Sequence, residues 1–365
     1  MKIKVSQEQL HKGIQTISSV IPNKATLPVL SHILLEAKDG ALRMAGTDLE
    51  IGISCTVPAE VTDEGATTVP AKRFGDLVKE LPKGELLIST RKNNQTTIEC
   101  PQGLFKVLGL PKEEFPRIYA DKDKEAVSMD QGVLEAMLNL TTFAVSHDES
   151  RYVLNGLLFI VKGGDIRFVA TDGRRLASIE RKCKSISKGE HRAIVPLKAV
   201  SELRRLLQEG QAAEISIKES QAVFDLGNTQ LITRLIEGKF PDFERVIPDE
   251  SPQKLTISKD TLLSAARRIS LWATQESPSI RFDLKANNLV VSKQTPEVGD
   301  AHEELKAKYS GEEFSVGFNP DYLIDVLKAL PDGDVAIELP GPDRPGVIRT
   351  KDQYLYIVLP MQLNA

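Results

Sequence analysis

The sequence is poor in several residue types, and each shortage excludes a class of protein. Its 365 residues include three cysteines and five histidines. Cys55, Cys100 and Cys183 are widely spaced and form no Cys-x-x-Cys pair, which excludes a disulfide framework and a thiolate zinc site and favours a reducing cytoplasm. The histidines show no His-x-x-x-His or His-Glu-x-x-His spacing. We therefore expect neither a metal nor any other cofactor.

Long apolar segments and catalytic signatures are also missing. The longest apolar run, residues 354–361, is too short to span a bilayer, and the N-terminus has no apolar stretch of signal-peptide length. The sequence contains neither a Gly-rich phosphate loop nor a Gly-x-Ser-x-Gly elbow. These absences predict a cytoplasmic protein that is not bound to a membrane and is not an enzyme.

Charge of one sign is not in excess, since the formal net charge is −4. Within that balance, Lys and Arg outnumber Asp and Glu over the predicted helices, whereas the rest of the chain is acidic. This distribution indicates a helical layer that faces a polyanion.

What the sequence does contain is a unit repeated three times. A Pro-initiated amphipathic helix recurs after Val69, Val195 and Phe318, and each is followed by Lys83-Gly84, Glu209-Gly210 or Asp332-Gly333. Another predicted helix precedes each of these, with a serine at its start: Ser6, Ser128 and Ser258. These first helices are predicted to run to about Val20, Ala144 and Trp272.

Alternating apolar runs with turn signals separate the helices and predict short antiparallel strands. The predicted fold class is therefore α+β, with each copy combining two helices and antiparallel sheets. We predict domains at residues 1–120, 127–248 and 253–365, joined by Pro- and charge-rich segments at 116–125 and 248–253.

Thr47-Asp48 and Thr171-Asp172 stand at matching places in two copies. Paired carboxylates could carry out acid–base chemistry, which leaves a repeat-built hydrolase as an alternative, but a residue at the same place in each copy is more often a turn cap. A scaffold of three sheet domains in an adhesion protein is a further alternative.

Several segments carry a resemblance to a known family. They are Thr26–Leu30, Gly46–Glu50, Arg151–Gly156, Thr171–Leu176, Lys239–Phe243 and Leu359–Met361. In these the chain closely resembles the bacterial DNA polymerase III β subunits, the sliding clamps. The resemblance implies three tandem clamp domains per chain and a head-to-tail homodimer that closes a six-domain ring around double-stranded DNA. It also implies a processivity factor without catalysis.

The resemblance implies three sets of site residues. Sequence-independent DNA contacts are expected from Lys24, Lys72, Arg73, Arg151, Tyr152, Lys198, Arg204, Arg205, Arg267 and Arg268. A cleft for short Gln-, Leu- and Phe-containing peptides of the replicative polymerase, the clamp loader and repair or translesion polymerases is expected from Leu154, Thr171, Gly173, Arg175, Leu176, Pro241, Arg245, Val246, Asn319, Tyr322, Val358, Pro360 and Met361. The dimer contact is expected from Phe105, Val107, Ile269, Leu271 and Trp272. This chain has Arg174 where histidine is common in the family.

Overall fold

The computed structural model describes residues 1–91, 93–118, 126–185, 189–296 and 298–363. The chain forms two compact units. The first comprises Met1–Leu134, Lys184–Lys188 and Lys198–Leu235, and the second comprises Glu135–Cys183, Gly189–Leu197 and Ile236–Ala365. Most of the predicted joint at 116–125, namely residues 119–125, lies outside the described residues, so the domain boundaries stay predictions.

The order of helices and strands repeats three times along the chain. The first copy contains β1 (Lys2–Ser6), α1 (Gln7–Ile17), β2 (His32–Lys38), β3 (Ala41–Thr47), β4 (Ile51–Pro58), β5 (Glu60–Asp63), β6 (Gly65–Pro70), α2 (Ala71–Glu80), β7 (Glu85–Thr90), β8 (Gln95–Cys100) and β9 (Gly103–Leu108). The second contains β10 (Val127–Asp130), α3 (Gln131–Asn139), β11 (Gly156–Lys162), β12 (Asp165–Thr171), β13 (Arg175–Lys182), β14 (Lys184–Ser185), β15 (Glu190–Pro196), α4 (Leu197–Leu206), β16 (Ala212–Ile217), β17 (Gln221–Asp225) and β18 (Thr229–Arg234). The third contains β19 (Lys254–Ser258), α5 (Lys259–Ile269), β20 (Ile280–Lys285), β21 (Asn288–Thr295), β22 (Gly299–Lys306), β23 (Phe314–Phe318), α6 (Pro320–Ala329), β24 (Asp334–Glu338), β25 (Gly346–Arg349) and β26 (Tyr354–Val358). The predicted α+β class with two helices per copy is confirmed.

Antiparallel sheets join neighbouring copies inside each unit. In the first unit, one sheet has the order β5-β1-β7-β8-β9, and a larger one, β14-β10-β16-β17-β18-β4-β3-β2-β6, continues from the second copy into the first through β18 and β4. In the second unit, the sheet β15-β11-β12-β13-β26-β25-β24-β19 continues through β13 and β26, beside the sheet β22-β21-β20-β23. Because backbone hydrogen bonds cross the copy boundaries, three sequence repeats give two compact units.

The first residue of the first helix in each copy is a buried polar side chain with the same task. Gln7 donates its side-chain amide to the carbonyl of Val78, Gln131 donates to Ala212, and Lys259 donates to Leu330. Each bond ties the start of one helix to the backbone at or just beyond the end of the other helix in that copy. A buried polar group at this position is stable because it satisfies a carbonyl that the helix end leaves without a partner.

The first helix of each copy packs its apolar stripe on the sheets. In α1, Leu10, Ile14 and Ile17 are buried at helical spacing. Gly13 lies so close to the sheet that an added Cβ would be 2.0 Å from Met44 Cε. The close approach of α1 to β3 therefore requires the absence of a side chain at residue 13.

Two details of the helix prediction are wrong. The first helices end earlier than predicted, because a tighter 3₁₀ turn replaces the last residues: Ser18–Val20, Thr142–Ala144 and Ser270–Trp272. Serine also does not cap these helices: Ser6 and Ser258 make no side-chain cap bond, and Asp130 accepts the N–H groups of Gly132 and Val133 at the start of α3. Each serine closes a β-strand or lies within one, which directs its side chain away from the helix terminus.

Candidate functional site

The two Thr-Asp pairs form the same tight turn after β3 and after β12. Asp172 Oδ1 accepts the N–H groups of Arg174 and Arg175, and Thr171 Oγ1 donates to the carbonyl of Arg175 while it accepts the N–H of Gly173. Asp48 and Thr47 make the corresponding bonds after β3. The turn-cap interpretation is confirmed, and the carboxylates are occupied by the backbone.

This turn requires a positive φ at its third residue. Gly173 supplies it with φ 86°, whereas the other copy has Leu49 there with φ 78°. Glycine adopts this conformation without steric cost, but a leucine side chain does not. An added Cβ on Gly173 would also be 2.8 Å from Arg151 Nη1, so glycine is required at this position for two reasons.

The remaining oxygen of each aspartate binds a cation. Asp48 forms an ion pair with Lys198, and although burial alone would raise the pKa of Asp48, the hydrogen bonds from Lys198 and from the turn lower it. Asp172 Oδ2 lies 3.0 Å from Arg175 Nε. Both carboxylates are therefore counter-ions to structural cations, an arrangement that offers no free base for hydrolysis.

Arg175 is the centre of a network in the second unit. Its Nη1 lies 2.7 Å from Asp325 Oδ2 on α6, and its Nη2 donates to the carbonyl of Phe143 at 2.6 Å. The guanidinium carbon lies 4.5 Å from the centroid of the Tyr322 ring and 5.6 Å from that of Phe143. Although burial alone would lower the pKa of Arg175, the hydrogen bond from Asp325 and the charges of Asp172 and Asp325 raise it. Arg175 thus joins β13 to α6 as a permanent cation.

The apolar residues of the predicted cleft differ in exposure. Leu154 and Leu176 belong to the core of the second unit, in contact with a cluster that includes Phe240 and Phe243, and Val358 is buried opposite Arg175 in the pairing of β13 with β26. Val246, by contrast, is 58% exposed. Leu154, Leu176 and Val358 therefore support the site from inside, whereas Val246 presents apolar surface to solvent.

The other predicted cleft residues surround this framework. Asn319 caps α6 by accepting the N–H of Asp321, and Tyr322 is half-buried one turn further along. Pro241 and Arg245 are exposed, the latter in an ion pair with Asp242. Beyond β26, the half-buried Met361 donates its N–H to the carbonyl of Gly317, next to the half-buried Pro360. All thirteen predicted cleft residues lie in the second unit.

The predicted DNA-contact residues divide into two groups. Five exposed cations have no ion-pair partner among the described residues: Lys24, Lys72, Arg73, Arg204 and Arg267. Four are already paired, Arg151 with Asp148, Lys198 with Asp48, Arg205 with Glu202 and Arg268 with Glu303. Tyr152 is 57% exposed. The first group is available to a polyanion, whereas each member of the second must first leave a carboxylate.

Two of the ten illustrate how firmly the paired group is held. Arg268 binds both carboxylate oxygens of Glu303, at 2.7 and 2.6 Å. Arg205 donates to the carbonyl of Thr16 and the hydroxyl of Ser19, which ties α4 to the end of α1. These arginines contribute to the local structure of their own units.

The predicted dimer residues lie at or near sheet edges. Phe105 is exposed on β9 and Leu271 is 75% exposed after α5, but Val107 and Ile269 are buried in their own units and Trp272 is half-buried. β9 and β22 each pair on one side only.

Sequence reasoning missed further exposed apolar side chains at these two edges. Leu104 and Leu108 lie on β9 at 53% and 67% exposure, and Val298 lies beside β22 at 52%. For β9, the signal was present in the alternation of its apolar residues with the buried Val107.

Comparison with known proteins identifies the family. Models of the DNA polymerase III beta subunit match in consecutive order, with the N-terminal domain at residues 1–119, the central domain at 128–242 and the C-terminal domain at 244–362. The chain is 35% identical to the beta sliding clamp of Chlamydia pneumoniae and 32% identical to that of Escherichia coli K12, with full coverage of both partners. A Pseudomonas aeruginosa sliding clamp, solved bound to griselimycin, superposes with a TM-score of 0.94 at 31% identity, again with full coverage of both chains.

The chain belongs to the DNA polymerase III beta subunit family.

Sliding clamps of this family are non-catalytic processivity factors, so the chain is not an enzyme and the hydrolase and adhesion alternatives are withdrawn. The described residues contain no cluster of three His, Cys, Asp or Glu side chains suited to a metal ion. Nor is any helix in the described ranges long and apolar enough to cross a bilayer.

Proposed function

We propose that two copies of this chain close a ring around double-stranded DNA and hold the replicative polymerase on its template. The observation that carries the proposal is the succession of three beta-subunit domain models over residues 1–362. In such a ring, retention depends on topology, so contacts with DNA can be weak enough to permit sliding.

We propose that β9 of one copy pairs with β22 of the other. An edge strand that exposes Leu104, Phe105 and Leu108 is prone to uncontrolled pairing unless a partner covers it. β22 offers a second open edge, with Leu271 and Val298 exposed nearby. Because the two edges differ, the contact is heterologous and closes only if the rotation between subunits completes a ring.

The DNA surface is proposed to consist of the five unpaired cations, with the paired arginines and lysine in a lesser role. Lys72 and Arg73 open α2, Arg204 lies on α4 and Arg267 lies on α5. Long, exposed cations suit phosphate contacts that carry no sequence information and exchange readily. Duplex DNA is thus expected to slide past these side chains.

The partner site is proposed to be the apolar surface around Val246, Pro241 and Met361, supported by Leu176 and Arg175. A peptide with Leu and Phe side chains would gain about 1.5–3 kcal/mol for each one buried there. Replicative polymerase, clamp loader and repair or translesion polymerases would compete for this surface in the cytoplasm. The exposed Arg174, which has no ion-pair partner among the described residues, would favour peptides with an acidic residue.

The test of encirclement compares circular and linear DNA. Loaded on nicked circular plasmid, the protein should remain bound through gel filtration and should be released when a restriction enzyme cuts the circle. Retention on the linear product would overturn the proposal. In solution, the mass should be twice 40.2 kDa.

Matched variants locate the closing contact. Leu108→Asp and Leu271→Asp place a charge on the two proposed edges and should each convert the dimer to monomer, with unchanged thermal stability of the monomer. Val246→Asp, an equally exposed apolar position away from both edges, should leave the dimer intact. A dimer that survives both edge substitutions would contradict the β9–β22 pairing.

A further inference from the structure

The second unit contains two buried lysines in opposite surroundings. Lys259, 8% exposed, forms ion pairs with Asp332 and, at 3.6 Å, with Asp260, and the hydrogen bond from Asp332 raises its pKa. Lys293 is 7% exposed, and its Nζ donates to Ser277 Oγ at 2.5 Å. Among the residues that the structure describes, no carboxylate oxygen lies within 4.0 Å of Lys293 Nζ. One buried ammonium is therefore neutralised and the other is not.

Burial without a counter-charge lowers the pKa of Lys293. The charged groups around it are engaged elsewhere or lie on the neighbouring strand. Arg281 on β20 is bound to Asp283 at 2.7 Å, and β22 carries Asp300 and His302. None of these carboxylates compensates the ammonium of Lys293, so its neutral amine form is favoured relative to that of an ordinary lysine.

A cavity of about 440 Å³ gives small molecules access to this lysine. Ser277, Ser279, Arg281, Lys293 and His302 are among the residues that line it, all within the second unit. The volume is ample for a molecule of a few heavy atoms. The lining is rich in hydroxyl and N–H donors, which suits a small oxygen-rich electrophile.

A lysine amine reacts as a nucleophile only when it has lost its proton, and desolvation is a recognised way to activate it. At neutral pH an ordinary lysine is neutral in only about one molecule per thousand. Each unit by which the pKa falls increases that fraction about tenfold.

We propose that Lys293 is an acylation site that takes its acyl group from a small acyl phosphate. The Nζ lone pair attacks the carbonyl carbon and forms an amide, and the bond from that carbon to the bridging oxygen breaks with its electron pair on the departing phosphate. The nitrogen releases its extra proton to the phosphate or to water. No oxidation or reduction occurs, and the neutral amide removes a charge that the fold does not compensate.

The test uses acetyl phosphate on the native protein, with site-resolved mass spectrometry after the remaining amines are labelled with deuterated anhydride. Lys293 should be acetylated at least about tenfold faster than the exposed Lys285 on the same sheet and than the buried, paired Lys259. Equal or slower reaction of Lys293 overturns the proposal. In denaturant the three lysines should react at similar rates, because the local environments are lost.

A second variant separates reactivity from simple accessibility. Ser277→Asp introduces the missing counter-charge beside Nζ and should slow acetylation of Lys293 about tenfold or more, whereas Ser277→Ala, of similar size, should not slow it. Circular dichroism melts identify any variant that fails to fold, and the comparison of Lys293, Lys285 and Lys259 in the natural chain then decides alone. An unchanged rate in a folded Ser277→Asp variant would overturn the proposal.

Discussion

The peptide cleft and the basic helix faces use the same residue type in different ways. In the cleft, Arg175 is buried, and its donors bind Asp172, Asp325 and a backbone carbonyl. On the helices, Arg204 and Arg267 are exposed without an ion-pair partner in the described ranges. One arginine maintains a binding surface without offering it a free donor, whereas the others are available to a ligand and maintain nothing.

The difference teaches that the two sites fail in different ways. A site that depends on one interior connection is sensitive to a single substitution, because a buried partner is left unpaired. A surface made of many independent exposed charges loses a small increment with each. The following predictions test this contrast.

The largest effect is expected from Arg175→Ala. The substitution leaves Asp172 and Asp325 without their cation and removes the link between β13 and α6, so the free energy of unfolding should fall by roughly 3 kcal/mol. Affinity for a fluorescent Gln-Leu-Phe peptide, measured by anisotropy, should fall at least about tenfold. Arg245→Ala, at an exposed ion pair, is the control and should change stability little. Equal effects of the two substitutions would break the comparison.

Leu176→Ala and Val246→Ala separate support from contact within the cleft. Leu176 is buried in the core cluster, so its truncation should lower the free energy of unfolding by about 2–4 kcal/mol. Val246 is exposed, so its truncation should leave stability within about 0.5 kcal/mol. It should nevertheless weaken peptide binding several-fold. Urea melts and the anisotropy assay measure the two quantities, and a stability loss for Val246→Ala would refute its assignment to the surface.

A smaller effect is expected from groups of basic residues on the helices. Replacing Lys72, Arg73, Arg204 and Arg267 together by Gln should reduce the salt dependence of binding to a short duplex by up to about 0.9 log units per lost phosphate contact. The matched replacement of Arg151, Lys198, Arg205 and Arg268 removes the same charge and should reduce it less, because these side chains are paired. Titrations between about 50 and 200 mM salt decide the point. The reverse order would show that pairing does not govern phosphate contact.

Single substitutions on the helices should have the smallest effect. Arg204→Gln alone is expected to weaken duplex binding by less than about threefold, since one exposed contact among several is lost. Retention on circular DNA should not change measurably. A tenfold loss from this one substitution would mean that the DNA surface, like the cleft, depends on a single residue.

Much of the fold was predictable because its signals are local. The Pro-initiated helices α2, α4 and α6, the glycines that follow them and the Thr-Asp turns depend on neighbours within a few residues. The helix ends and the serine caps were wrong, because 3₁₀ turns and the direction of a preceding strand are set by packing. The cleft residues came from family resemblance, and no local pattern pointed to Asp325 or Phe143 as partners of Arg175, since both are distant in sequence.

The sequence alone determined the threefold repeat, the two helices in each copy and the absence of catalytic spacing, because periodicity and turn chemistry act over short distances. Only the tertiary structure decided that sheets cross the copy boundaries, that four of the nine predicted DNA-binding cations are already bound to carboxylates, and that Lys293 is buried without one. These outcomes depend on which distant side chains share a low-dielectric interior or a surface, and that is fixed by packing of the whole chain.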